Sequence, residues 1–158
     1  MSNVYPLVPP VDGRQSDHAL AIQRGVGRLL RMQGFAILTE LPLATGRRAD
    51  IVALGGSGEI WIVEIKSSIQ DFRVDQKWPD YRFSCDRLFF ATHSGVPLDI
   101  FSDDTGLILA DGYGAELMRE APEHKLAGAT RRAMFLRFAQ TAALRLHGLM
   151  DPSLPQDW

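Results

Sequence analysis

Three charged residues stand where two β-strands should bury aliphatic side chains. In "RRADIVALGGSGEIWIVEIKSS" (47–68), Asp50, Glu64 and Lys66 interrupt apolar runs on either side of a glycine-rich turn. If that turn centres on Ser57, Leu54 pairs with Ile60 and Asp50 with Glu64. Directly opposed residues of an antiparallel pair have Cβ atoms roughly 4.5–5.5 Å apart on one face. Glu64 and Lys66 also share a face, because strand side chains alternate with period two. Among Ile51, Val52, Ile62, Val63 and Ile65, two facing carboxylates cannot simply be solvated. Lys66 could neutralise one, one acid could keep its proton, or a divalent cation could sit between them. Hard oxygen ligands suit Mg²⁺, which takes one or two protein carboxylates and keeps several waters. A lysine beside such an ion can orient water or stabilise charge on a phosphate.

The surrounding pattern supplies elements to carry these groups. Ser16 reads as the N-cap of a helix with Asp17 in its first turn and Ala19, Ile22, Val26 and Leu29 at helical spacing. Gly34 stands where that helix should stop. "FAILTELPL" (35–43), "RRADIVAL" and "EIWIVEIK" read as three successive strands, with Glu40 inside the first. A capping signal, Ser68-x-x-Asp71, and Pro79 start two short helices. "RLFFAT" (87–92), "GLILAD" (106–111) and "AELMRE" (115–120) follow as strands, the last an edge strand. Thr130 is expected to cap a long helix whose buried stripe is Phe135, Phe138, Ala142, Leu146 and Leu149. This order predicts an α/β fold: a central mixed β-sheet flanked by helices on both faces. Residues 1–15, with Pro6, Pro9 and Pro10, read as an irregular arm; 16–150 as one domain; 151–158 as a tail.

At 158 residues and 46% hydrophobic composition, the chain can bury a core without staples. One cysteine, Cys85, excludes an intramolecular disulfide and a Cys-based zinc site, and it reads as a small buried hydrophobe. His18, His93, His124 and His147 lack ligand spacing. No signal peptide or membrane span is expected, so the cytoplasm is the default location. Net charge is −2, yet 14 of the 17 cations are arginine, whose planar fork suits phosphate. Arg24, Arg28 and Arg31 share one face of the first helix, either as a solvated face or as a phosphate-facing stripe. Arg47 and Arg48 could grip a phosphate or pair with Glu40 or Glu59. Glu40, Asp17 and Lys77 are further site candidates; ion pairing is the structural alternative for Glu40 and helix capping that for Asp17. Trp78 and Tyr81 read either as a stacking pair or as a plug between a short helix and the sheet.

"AD-(13 residues)-EIK" resembles the PD-(D/E)XK nuclease superfamily, of restriction-endonuclease-like fold, with Ala49 in place of the proline that names the motif. "VEIKSSIQDFRVDQKWPDYRFSCDRLFFA" (63–91) resembles the bacterial MmcB DNA-repair family. The resemblance implies DNA as partner, Mg²⁺ or Mn²⁺ held by Asp50, Glu64 and the carbonyl of Ile65, and a catalytic Lys66. It implies a metal-dependent endonuclease acting on branched, damaged or single-stranded DNA. The alternative is a catalytically silent module of the same fold that binds DNA or another repair protein. The sequence leaves the oligomeric state open, a dimer included.

Overall fold

The computed structural model describes residues 16–155. The arm read at 1–15 therefore lies outside the described residues, as do the last three of the tail. Six strands form one sheet in sequential order: β1 (Ala36–Pro42), β2 (Arg48–Leu54), β3 (Ile60–Ile65), β4 (Arg87–Thr92), β5 (Gly106–Ala110) and β6 (Ala115–Arg119). β1, β2 and β3 run antiparallel, β3 to β5 parallel, and β6 antiparallel to β5 along the edge. The mixed sheet and its α/β class agree with the expectation from sequence.

Among the described residues, three helices and two 3₁₀ segments accompany the sheet: α1 (Asp17–Met32), α2 (Ile69–Val74), α3 (Gly128–Met150), and 3₁₀ turns at Trp78–Ser84 and Leu98–Ile100. Ser16 caps α1 through Ala19 N, and Gly34 ends it at φ +88°, a conformation open to glycine. Ser68 caps α2 through Asp71 N, while the Asp71 carboxylate accepts from Ser67 N.

Helices cover both faces of the sheet. Ile22, Val26 and Leu30 of α1 pack on Ile51, Ala53, Val63 and Phe89. On the opposite face, Met134 of α3 and Tyr81 of the longer 3₁₀ segment pack on Val52, Ile60, Ile62 and Leu88. A third cluster, around Phe90 and Phe101, lies beneath Phe72 of α2.

α3 departs from expectation in two ways. It begins at Gly128 after Ala127, with no side-chain cap, and not at Thr130. Of the expected apolar stripe, Phe138 packs on the core, but Phe135, Leu146 and Leu149 are exposed and Met134 is the buried residue. The helix is held by guanidinium groups. Arg131 makes a bidentate pair with Asp86, and Arg145 donates to the carbonyls of Thr39 and Glu40. No helix among the described residues is long and apolar enough to cross a membrane.

Candidate active site

The β2–β3 hairpin has the register its turn implies: Leu54 faces Ile60, Ala53 faces Trp61, and the ladder runs to Ile51 opposite Val63. One step further the main-chain ladder gives way to side chains. Asp50 N donates to Glu64 Oε1 at 3.0 Å, and Ile65 N donates to Asp50 Oδ2 at 2.7 Å. Each carboxylate thus accepts from the other strand's backbone, which locks both in place at the point where the strands part.

Burial dominates their electrostatics. It pushes the Asp50 carboxyl up, against the opposing pull of Ile65 N–H. It pushes Glu64 well above the ordinary range, and the adjacent Asp50 charge adds to this. Of the two acids, Glu64 is the more strongly raised. Lys66 does not hydrogen-bond to either acid. Its buried ammonium pairs with Asp75 Oδ2 at 2.7 Å, where Asp75 forms the C-cap of α2. An ammonium has three donors, so this contact leaves two for the cleft.

These groups line a cleft of ≈ 580 Å³, together with Arg47, Arg48 and Tyr81. Tyr81 Oη donates to the Arg48 carbonyl, and burial beside Glu64 and Asp50 keeps the phenol protonated. Arg48 Nε pairs with Glu40 at 2.6 Å, and Arg47 reaches Asp80 at 3.5 Å. Glu40 sits at φ +52°, in the left-handed region that disfavours a side-chain-bearing residue. The Arg145 bond to its carbonyl helps to hold it there. Strand alternation slips at this level: Leu38 and Leu41, three apart, join the same core, as do Ala49 and Val52. Left-handed backbone of this kind gathers at functional sites.

Several candidates fall elsewhere. Asp17 lies in the first turn of α1 outside the cleft, although Ser16 and Ala19 line it. Lys77 is exposed and also outside. Arg24, Arg28 and Arg31 are exposed on α1 away from the cleft lining, and Arg28 donates to the Tyr113 carbonyl. Trp78 packs edge-on against Phe90, a core role. Cys85 is buried, and burial pushes its thiol up to about 12, which makes it a poor nucleophile. Asp75 escaped the sequence reading. Its signal was its place in the run "DFRVDQKW", nine residues after the lysine it holds.

The donor set fits a hard divalent cation that keeps most of its waters. No group of three or more His, Cys, Asp or Glu side chains is arranged to hold a metal among the described residues. Two opposed carboxylates, Asp50 half-buried and Glu64 buried, with the Ile65 main chain between Glu64 and Lys66, match the few protein ligands that Mg²⁺ accepts.

No curated protein matches this chain. A solved structure of a protein of unknown function from Silicibacter pomeroyi is similar, with 43% sequence identity and a TM-score of 0.83 over 87% of this chain and 94% of that one. The sequence profile described as DNA repair protein MmcB-like matches residues 7–153. On that match, which spans nearly the whole length, the chain belongs to the MmcB-like DNA repair protein family.

Proposed function

We propose that the protein is a metal-dependent DNA endonuclease of the PD-(D/E)XK, restriction-endonuclease-like kind. The observation that carries this reading is the pair Asp50 and Glu64, interlocked across two strands, the first half-buried and the second buried, and both driven toward the neutral form. A protein that wanted only a quiet strand pair would place aliphatic residues here. Asp50, Glu64 and the carbonyl of Ile65 would hold Mg²⁺ or Mn²⁺. When bound, the ion supplies charge neutralisation at the phosphate and a more acidic water.

The chain's own residues do the rest. Asp75 fixes the Lys66 ammonium, whose two remaining donors orient the attacking water and stabilise the phosphate as charge builds on it. Arg47 and Arg48, on the rim, grip flanking phosphates. The water oxygen bonds to phosphorus, the bond from phosphorus to one sugar oxygen breaks, and a proton ends on that leaving oxygen.

One observation favours a second reading, DNA or partner binding without cleavage. Five carboxylates line the cleft (Glu40, Asp50, Glu64, Asp71, Asp75) against three cations (Arg47, Arg48, Lys66), an excess that repels a polyanion. Branched, flapped, nicked and single-stranded DNA incubated with Mg²⁺ or Mn²⁺ separates the two. The first reading expects cleavage that Asp50→Asn and Lys66→Ala abolish. Cleavage that survives in both variants removes these residues from the mechanism, and chelator-insensitive binding without cleavage favours the second reading.

A further inference from the structure

Just outside the cleft lining two histidines that are 75 positions apart stack face to face, with ring centroids 4.3 Å apart and planes 10° from parallel. His93, just after β4, is fixed in place. Gly95 N donates to its Nδ1 at 3.1 Å, so Nε2 carries the proton and donates to the Ser67 carbonyl at 2.8 Å. Gly95 lies close beneath the ring: a Cβ there would stand 2.6 Å from the imidazole Cε1, so the ring would have to shift. His18, in the first turn of α1, lies on this fixed ring and is exposed even with one face covered.

The platform adjoins the cleft through two links. Ser67 follows Lys66, lines the cleft and receives the His93 bond. Ser16, two residues before His18, lines the cleft too and lies 3.4 Å from the Ser67 hydroxyl. Of the groups that would act on the phosphodiester, Glu64 and Lys66 lie deep, 3% and 6% exposed, and Asp50 is half-buried. A backbone phosphate drawn down to Glu64 and Lys66 from an unpaired strand brings with it a nucleotide whose base is unstacked and in need of a partner surface.

We infer that His18, backed by His93, is a nucleobase-stacking platform, and that the substrate is a single strand or a frayed end. The inference deepens the nuclease reading and depends on it for the placement of the phosphate. Stacking on an aromatic ring is indifferent to base identity, since every base has a π-face. Imidazole rings serve in this way for unstacked bases.

The test is a binding titration of full-length protein with single-stranded DNA carrying 2-aminopurine, and with blunt duplex, in Ca²⁺. The wild type and His18→Phe should quench the 2-aminopurine and bind the single strand alike. His18→Ala should bind it roughly tenfold more weakly and lose the quench. Gly95→Ala, which displaces His93, should behave as His18→Ala does. Duplex binding should change in none of them. Equal single-strand binding by wild type and His18→Ala overturns the platform while leaving the nuclease reading intact. A loss in His18→Ala that appears equally on duplex, or comes with a lower melting temperature, assigns the rings to folding and also overturns it. Failure of the wild type to bind any DNA overturns the platform and the nuclease reading together.

Discussion

Arg131→Ala should expose how the sheet and α3 are joined. Asp86, just before β4, accepts from Arg131 Nη2 and Nη1 at 2.6 and 2.7 Å, from Ile60 N at 2.8 Å and from Leu126 N at 2.9 Å. Arg131 also donates to the Gly58 carbonyl. One carboxylate thus ties the hairpin turn, the start of β4, the segment before α3 and α3 itself. Asp86 is 5% exposed, so removal of Arg131 strands a buried charge. Breaking one partner of such a pair typically costs about 3–5 kcal/mol; the 20% exposure of the Arg131 side chain points to the lower end, about 3. The pH dependence gives an independent check. Burial alone would raise Asp86, but the Arg131 bonds and the two backbone donors outweigh it and hold the carboxyl at about 2, against 3.8 when unperturbed. A folded-state value below the unfolded one means stability that is present above the unfolded value and is lost as pH falls through the folded one. That gap is worth about 2 kcal/mol. Urea denaturation followed by circular dichroism should therefore show the variant about 3 kcal/mol weaker near neutral pH, with the deficit narrowing between roughly pH 5 and pH 2 by the Arg131 share of that gap, at most about 2 kcal/mol. A neutral-pH deficit under about 1 kcal/mol, or one that does not narrow in acid, would refute the clamp.

The acid pair predicts the opposite behaviour. Glu64 is raised by burial and then by Asp50, so its stabilising contribution is full below its unfolded value and is lost as pH rises through the folded one. Glu64→Gln, which mimics the protonated acid, should melt higher than wild type near neutral pH without divalent ions, and that advantage should vanish on acidification. A variant that melts lower at neutral pH contradicts this. Asp75→Asn removes the partner of the Lys66 ammonium and should lower kcat while leaving KM nearly unchanged. An unchanged kcat would deny Asp75 a positioning role. Gly25→Ala would drive a methyl group into the carbonyls of Asp111 and Gly114, where α1 meets the β5–β6 turn. Overpacking of this kind costs about 1–3 kcal/mol, visible as a lower melting temperature.

What the sequence disclosed was local. The "GGSG" turn sets the hairpin register, and Ser16 and Ser68 announce helix starts because a cap and its helix are neighbours in the chain. What it hid was long-range or conformational. His18 and His93 meet only because α1 lies beside the ends of β3 and β4. The left-handed backbone of Glu40 has no marker such as glycine. The expected Thr130 cap failed because α3 is anchored at Arg131 by Asp86, and its stripe failed because Arg145 bonds to β1 carbonyls while neighbouring leucines stay exposed. The run ending "CDRLFFA" places Asp86 beside the strand start that it organises, a role invisible without the fold.

An ion shared by Asp50 and Glu64 can be sought without any DNA substrate, by direct titration of the protein with Mn²⁺ read by electron paramagnetic resonance. Wild type should take up the ion at one site, and Asp50→Asn and Glu64→Gln should each lose it while remaining folded. Undiminished uptake by both variants, or none by the wild type, would contradict the account.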